Sequence, residues 1–295
     1  MFERPMILSP HGCGLCLDRR AFDRTLFDAA CGRGVVGLCN AAPSGVVRRA
    51  DGWTVSFRQG GAGRTLRARF LIDASGRSRV LTRLMGLGWR AHHFEIGIIG
   101  HMPGPDPTPG RGGCLLIEAV ENGWWYSVDL PGGALVAGLI CDPGLPRQSG
   151  LTARGVWEQE LGRTIDTRQR LGRRKDQARL RVEPASGGCL DRAAGPGWIA
   201  VGDAASTVDP ATGSGIARAI AYAQDAAEAL IAEPAGPRTL LTDYADGIAR
   251  DYADYLYERA AYYRLERRWP RSDFWLERQR PAVANPKLSY RRYSP

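Results

Sequence analysis

Lysine is almost missing from this chain. Lys175 and Lys287 are the only two among 40 basic residues in a sequence of 295. The net charge of +9 therefore rests on dispersed arginines, which argues against the concentrated basic element of a nucleic-acid binder. Two denser runs, Arg163 to Arg181 and Arg264 to Arg280, read as solvated faces, with an acidic partner or peptide substrate left open. Long apolar runs are lacking too. None reaches the roughly 20 residues of a membrane-spanning helix, and the N-terminus lacks the basic-then-apolar order of a signal peptide. The expectation is a soluble cytoplasmic protein without a membrane span. Zinc spacing is also absent. Cys13 and Cys16 form one CxxC, but no second pair and no HxxxH accompanies it. The seven scattered cysteines suit reduced thiols, and no metal site is expected. His92 and His93 are adjacent, so on a strand they would point to opposite sides. Finally, no GxGxxG opens a helix after a strand. Gly32-Arg33-Gly34 ends a helix instead. The pyrophosphate half of a dinucleotide site uses such a helix-opening turn.

What is present centres on Gly197 to Glu233. Trp198 to Val201 is a short apolar run that suits a buried parallel strand. It ends at Gly202 and Asp203, and a small-residue loop follows with Asp209, Pro210, Gly213, Ser214 and Gly215. A helix is predicted to start near Ile216, because Ile216, Ile220, Ala223, Ala227 and Leu230 recur at helical spacing. Glycines let backbone approach a ligand. A helix start offers unpaired N–H groups and a positive dipole end. An aspartate at a strand's carboxyl end can accept hydrogen bonds from ligand hydroxyls. The alternative is a glycine loop that merely turns a strand into a packed helix.

The rest of the chain reads in blocks. Residues 17–26 spell LDRRAFDRTL, a helix with Asp18 at the N-cap. A small meander follows through GWTVSFRQ. RFLIDASGRSR is a strand, a loop from Asp73 through Gly76, and a helix. From Trp89 the pattern alternates like antiparallel strands joined by Gly and Pro turns. There Trp124 and Tyr126 share one strand face and Trp125 takes the other. Either an aromatic substrate pocket or aromatic core packing would use them. Thr152 to Arg174 is a charged amphipathic helical region. After a break at Pro234 to Pro237 a second helical block runs from Tyr244 to Arg268. The residues after Pro281 read as a poorly ordered tail.

The spacing GD-x5-DP-x2-G-x-G, together with LDRxxFDxxL and the strand end at Asp73, resembles the class A flavoprotein monooxygenases, the group that includes the flavin-dependent tryptophan halogenases. The C-terminal pattern YxxxRxxYYxxExRWPxxxFW, from Tyr255 to Trp275, is similar to the tryptophan-halogenase-like members. Among those it is most like the hydroxylases of quinone-cofactor biogenesis. The resemblance implies an α/β fold: an incomplete Rossmann-like FAD-binding layer (1–88 and 186–233), an inserted antiparallel substrate sheet (89–185) and a C-terminal helical region (234–295). It implies FAD as cofactor and NAD(P)H as a candidate reductant, with Arg19, Asp73, Gly202, Asp203, Pro210, Gly213, Gly215 and Ile216 at the cofactor and Trp124 and Tyr126 at the substrate. The implied activity is hydroxylation of an aromatic, tryptophan or peptidyl substrate by oxygen activated at the flavin C4a. No side chain is assigned as a catalytic acid or base. Halogenation and a geranylgeranyl-reductase-like reaction stay open. WWYSVDLP departs from the halogenase WxWxIP. The resemblance covers the latter part of the family's usual chain, so a missing N-terminal half or a flavin reductase is an expected partner. A non-catalytic fragment unable to hold FAD is the rival expectation.

Overall fold

The computed structural model describes residues 17–104, 115–232 and 239–280. The Cys13-Cys16 pair, the Pro234–Pro237 break and the tail after Pro281 lie outside the described residues. Helix α1 (Arg19–Cys31) opens on Asp18, whose carboxylate accepts from the N–H groups of Arg20 and Ala21. Such a cap is worth about 1 kcal/mol. Gly32 ends the helix. Glycines 32, 34 and 37 keep the letters of GxGxxG, but they leave a helix rather than enter one. Gly37 is there for space, since a Cβ would lie 2.4 Å from the Phe27 ring.

The meander follows as β1 (Ala41–Arg49), β2 (Gly52–Gln59) and β3 (Ala62–Ala68), an antiparallel sheet in that order. Gly52 turns the first hairpin at φ +148°, where a Cβ would meet the Ala68 carbonyl oxygen at 2.4 Å. Next come β4 (Leu71–Asp73), the short helix α2 (Val80–Leu84) and β5 (Trp89–Ala91).

Strands β6 (Ile96–Met102), β7 (Leu116–Val120), β8 (Gly123–Asp129) and β9 (Leu135–Cys141) join a later strand in one five-stranded antiparallel sheet. Short helices α3 (Leu145–Ser149), α4 (Ala153–Gly162) and α5 (Asp166–Leu171) follow, then that last strand, β10 (Arg179–Pro184). The sheet order is β10-β6-β9-β8-β7. The expected helical region from Thr152 is thus broken in two. The break has a cause: the Glu118 carboxylate of β7 accepts from the N–H groups of Ile165 and Thr167, holding the start of α5. The core between α4, α5 and the sheet contains Trp125, Trp157, Leu161 and Leu171, with the two indoles edge to face at 5.2 Å.

Strands β11 (Gly188–Leu190), β12 (Ala194–Gly195) and β13 (Trp198–Ala200) return the chain. β13 pairs in parallel with β4, Trp198 opposite Leu71 and Ala200 opposite Asp73. Strand β14 (Ser206–Thr207) and β5 flank β11 in a separate small sheet. So Trp89–Ala91, at the head of the antiparallel-looking stretch, pairs with Gly188–Leu190 and not with the five-stranded sheet. Helix α6 (Gly215–Ala232) begins one residue before the expected start. Helix α7 runs Thr239–Tyr263, beginning earlier and ending sooner than the predicted block, and α8 (Asp273–Gln279) is capped by Ser272. Pro270 lies in the turn between them, where the residue before a proline disfavours helical backbone. The second sheet face packs on these helices through Trp124, Ile140, Tyr263, Phe274 and Trp275. Trp124 and Trp125 therefore do point oppositely. No helix among the described residues is long and apolar enough to cross a membrane.

Candidate functional site

β13 delivers the chain to Gly202, whose φ of +56° is the left-handed region that glycine tolerates. A Cβ at Gly202 would sit 3.2 Å from that of Ala219, so the strand end lies tight against α6. This approach sets Asp203 beside the helix. The Asp203 side chain is 35% exposed and pairs with Arg77 at 3.5 Å. Arg77 is itself pinned, donating to the carbonyls of Ser186 at 2.9 Å and Val208 at 3.3 Å. Burial raises the pKa of Asp203, and the charges of Arg77, Arg218 and Arg19 work against that rise. Three arginines from distant parts of the chain thus act on one carboxylate. Arg19 reaches this neighbourhood while its guanidinium pairs with Asp23 on the exposed face of α1.

The loop from Asp209 to Gly215 is held from behind. Asp209 is fully buried. One oxygen accepts from the Ala211 N–H at 2.9 Å; the other accepts from Arg259 at 3.0 Å and from the Tyr263 hydroxyl at 2.6 Å. Its own N–H donates to the Tyr255 hydroxyl at 2.8 Å. Pro210, Gly213 and Gly215 lie on the open side and are exposed, while Ile216 is half-buried in the first turn of α6. Gly213 has φ +61°, and neither it nor Gly215 has an atom within 4 Å of where a Cβ would stand. Backbone with open space beside both glycines leads through Ser214 into the start of an 18-residue helix, whose first N–H groups have no partners within it and carry the positive dipole end. An anionic or hydrogen-bonding planar group fits that combination.

Asp73 does different work. One of its oxygens accepts from the Ser75 N–H and hydroxyl, the other from the Thr82 N–H at 2.8 Å. Its carboxylate shapes the loop that presents Arg77. Trp124 is 3% exposed, and its indole N–H donates to the Tyr263 hydroxyl at 3.0 Å. Tyr126 is half-buried and lies over Gly138, where a Cβ would be 2.5 Å from its ring. Burial pushes its phenol up to about 12. The structure thus brings Asp203, Pro210, Gly213, Gly215 and Ile216 into one region and ties Trp124 to it through Tyr263 and Asp209.

A cluster that sequence reasoning missed lies behind the loop. Glu95, 1% exposed, accepts from Arg259 at 2.8 Å and Arg278 at 2.5 Å through one oxygen. Arg278 also donates to Asp142 at 2.6 Å. Burial, reinforced by the charge of Asp209, pushes the Glu95 carboxyl up to about 7 against the pull of both arginines. His93 accepts the Gly187 N–H at Nε2. Burial and the nearby arginines push it down to about 2, so it stays neutral. Donor atoms of His93, Glu95 and Asp209 lie within 4.8 Å of one another. Two guanidinium groups already occupy those carboxylates, so a dication there would face two fixed positive charges. The arrangement is an ion-pair network. Its sequence signal was Tyr255, Arg259 and Tyr263, spaced by four along one face of α7.

Residues 5–290 match the family model described as tryptophan halogenase. The chain belongs to the tryptophan halogenase family. It is 28% identical over 274 residues to LodB of Marinomonas mediterranea, which carries the name of an FAD-dependent oxidoreductase; the match covers 92% of this chain and 73% of LodB. Among solved structures, the flavin-dependent halogenase CmlS superposes with a TM-score of 0.81 at 21% identity, covering 95% of this chain and 53% of CmlS. The chain thus spans about half the length of that halogenase. QhpG, a peptidyl tryptophan dihydroxylase of tryptophylquinone cofactor biogenesis, superposes with a TM-score of 0.67 at 22% identity, covering 89% of this chain and 59% of QhpG. At these identities the two structures show a shared fold. The relatives are FAD-dependent oxidoreductases and halogenases, and this family member shares their mixed α/β architecture.

Proposed function

We propose that this chain carries the ribityl and ring side of an FAD site in a monooxygenase-type oxidoreductase that hydroxylates an aromatic, tryptophan or peptidyl substrate. The observation that carries the reading is the geometry at Gly202–Ile216: an accessible carboxylate beside arginines, then a Gly-Ser-Gly stretch, open beside both glycines, running into a helix start. Asp203 would accept hydrogen bonds from the ribityl hydroxyls. The N–H groups at Gly215 and Ile216 would favour negative charge on the ring edge. Arg19, Arg77 and Arg218 would supply positive charge toward phosphate. Asp73 would serve indirectly by shaping the Arg77 loop. Bound FAD supplies the oxygen chemistry; the protein orients it, excludes water and presents the substrate. The five-stranded sheet would cover the substrate, with Tyr126 at its border and Trp124 in the wall behind. An NAD(P)H-driven flavin reductase is the proposed electron source.

Hydroxylation is favoured over halogenation by the departure of WWYSVDLP from the halogenase motif and by the likeness to QhpG. Halogenation remains the second reading, supported by the family match and by the likeness to CmlS. Product mass after turnover in bromide buffer separates them: a gain of oxygen alone supports hydroxylation, and a bound halogen overturns it. The site itself is tested by titrating FAD into the wild-type chain and into Asp203→Ala. Equal affinity in the two would refute the assignment.

A further inference from the structure

The Arg259 guanidinium joins two segments far apart in sequence. Its Nε donates to Asp209 in the loop before α6, and its Nη2 donates to Glu95 just before β6. All three side chains are buried. A buried ion pair is a poor source of net stability, since desolvation offsets the attraction. A planar fork that spans two carboxylates is, however, a specific way to fix one segment against another. The charges do not balance: Glu95, Asp209 and Asp142 face Arg259 and Arg278. With every group ionised the cluster carries one negative charge in excess, and one proton removes it.

We propose that Arg259 is a positioning residue for the loop Asp209–Gly215, and that proton binding at Glu95 sets how firmly that loop is held. The proposal rests on the reading that this loop faces the flavin. With Glu95 ionised, Arg259 is shared between two carboxylates and the charge of Glu95 repels that of Asp209. With Glu95 protonated, that repulsion is gone and the Arg259 charge is left to Asp209, so the loop is held more firmly. The groups facing Glu95 are His93 on its own segment, Asp209 from the loop, Arg259 and Tyr263 from α7, Arg278 from α8, and Cys141 and Asp142 at the end of β9. His93 stays neutral and Cys141, pushed up to about 12 by burial, stays a thiol. Neither competes as the titrating group near neutrality.

Hydrogen exchange tests this on the full chain without flavin, following the backbone amides of residues 206–216 on both sides of the Glu95 titration near 7, with rates corrected for intrinsic exchange. The closed loop raises the Glu95 pKa through the charge of Asp209, so by linkage the wild type is expected to protect the loop better on the acid side, roughly ten-fold for each pKa unit that loop closure adds. Glu95→Gln should exchange at one rate on both sides, at the acid-side level. Arg259→Lys, whose ammonium lacks the two-pronged fork, should protect the loop less on both sides while peptides of β8 and β9 keep their protection. A wild-type loop with equal protection on both sides overturns the proposal without any variant, and so does a pH dependence that survives in Glu95→Gln. FAD titration of Asp203→Ala stays separate. If it binds FAD as the wild type does, the flavin reading fails while the exchange result stands; a flat exchange profile with FAD binding lost in Asp203→Ala sinks only the positioning role.

Discussion

Tyr263→Phe removes a single buried oxygen from between the sheet and the C-terminal helices, and the structure sets the cost. That hydroxyl donates to Asp209 at 2.6 Å and accepts from the Trp124 indole at 3.0 Å. Both partners are buried. Losing a hydrogen bond to a charged acceptor costs about 1.5–3 kcal/mol, and leaving a buried N–H unpaired costs about 1–3 kcal/mol. Asp209 retains Arg259 and the Ala211 N–H, which offsets part of the first amount. The expected destabilisation is about 2–4 kcal/mol, read as a lower denaturant midpoint at unchanged slope. Trp124→Phe removes the orphaned donor together with its partner. The double variant should therefore be less destabilised than the sum of the singles, by about 1 kcal/mol. A cost below 1 kcal/mol for Tyr263→Phe, or strict additivity, would refute the claim that this chain of hydrogen bonds joins the sheet to the loop.

Further outcomes follow from single groups. Asp203→Ala should weaken FAD binding by about 1.5–3 kcal/mol, roughly ten- to a hundred-fold, through loss of a charged acceptor; flavin fluorescence titration measures it. The fold raises the Glu95 pKa, so between its ordinary value of 4.5 and about 7 the folded chain holds a proton that the unfolded chain releases. By linkage, that contribution is fully present below the ordinary value and declines as pH rises toward 7. Glu95→Gln should lack this decline, and denaturation midpoints across the acid range check it. Gly213→Ala pays for left-handed backbone in open space, about 1–2 kcal/mol. Gly52→Ala adds a clash with the Ala68 carbonyl to its own positive φ and should cost more; the reverse order in thermal melts would contradict the geometry.

Local chemistry in the sequence was enough for the elements that carry the site. The Asp18 cap, the apolar Trp198–Val201 run, the glycine-bearing loop and the helix near Ile216 each rest on neighbours within one turn or one strand. So does the alternation that sends Trp124 and Trp125 to opposite faces. Pairings over long separations were not legible. Nothing near Trp89 says that its strand joins Gly188 rather than the adjacent sheet, and nothing near Asp73 says that both its oxygens are taken by its own loop. Glu95 and Asp209 are ordinary acids in the sequence. They become one network only because α7 and α8 bring Arg259 and Arg278 between them, in an interior too dry to leave either carboxylate without a cation. The residue types could be read in order along the chain; which carboxylate faces open space and which is buried as an anchor was settled by the packing of α7 and α8 against the loop and the sheet.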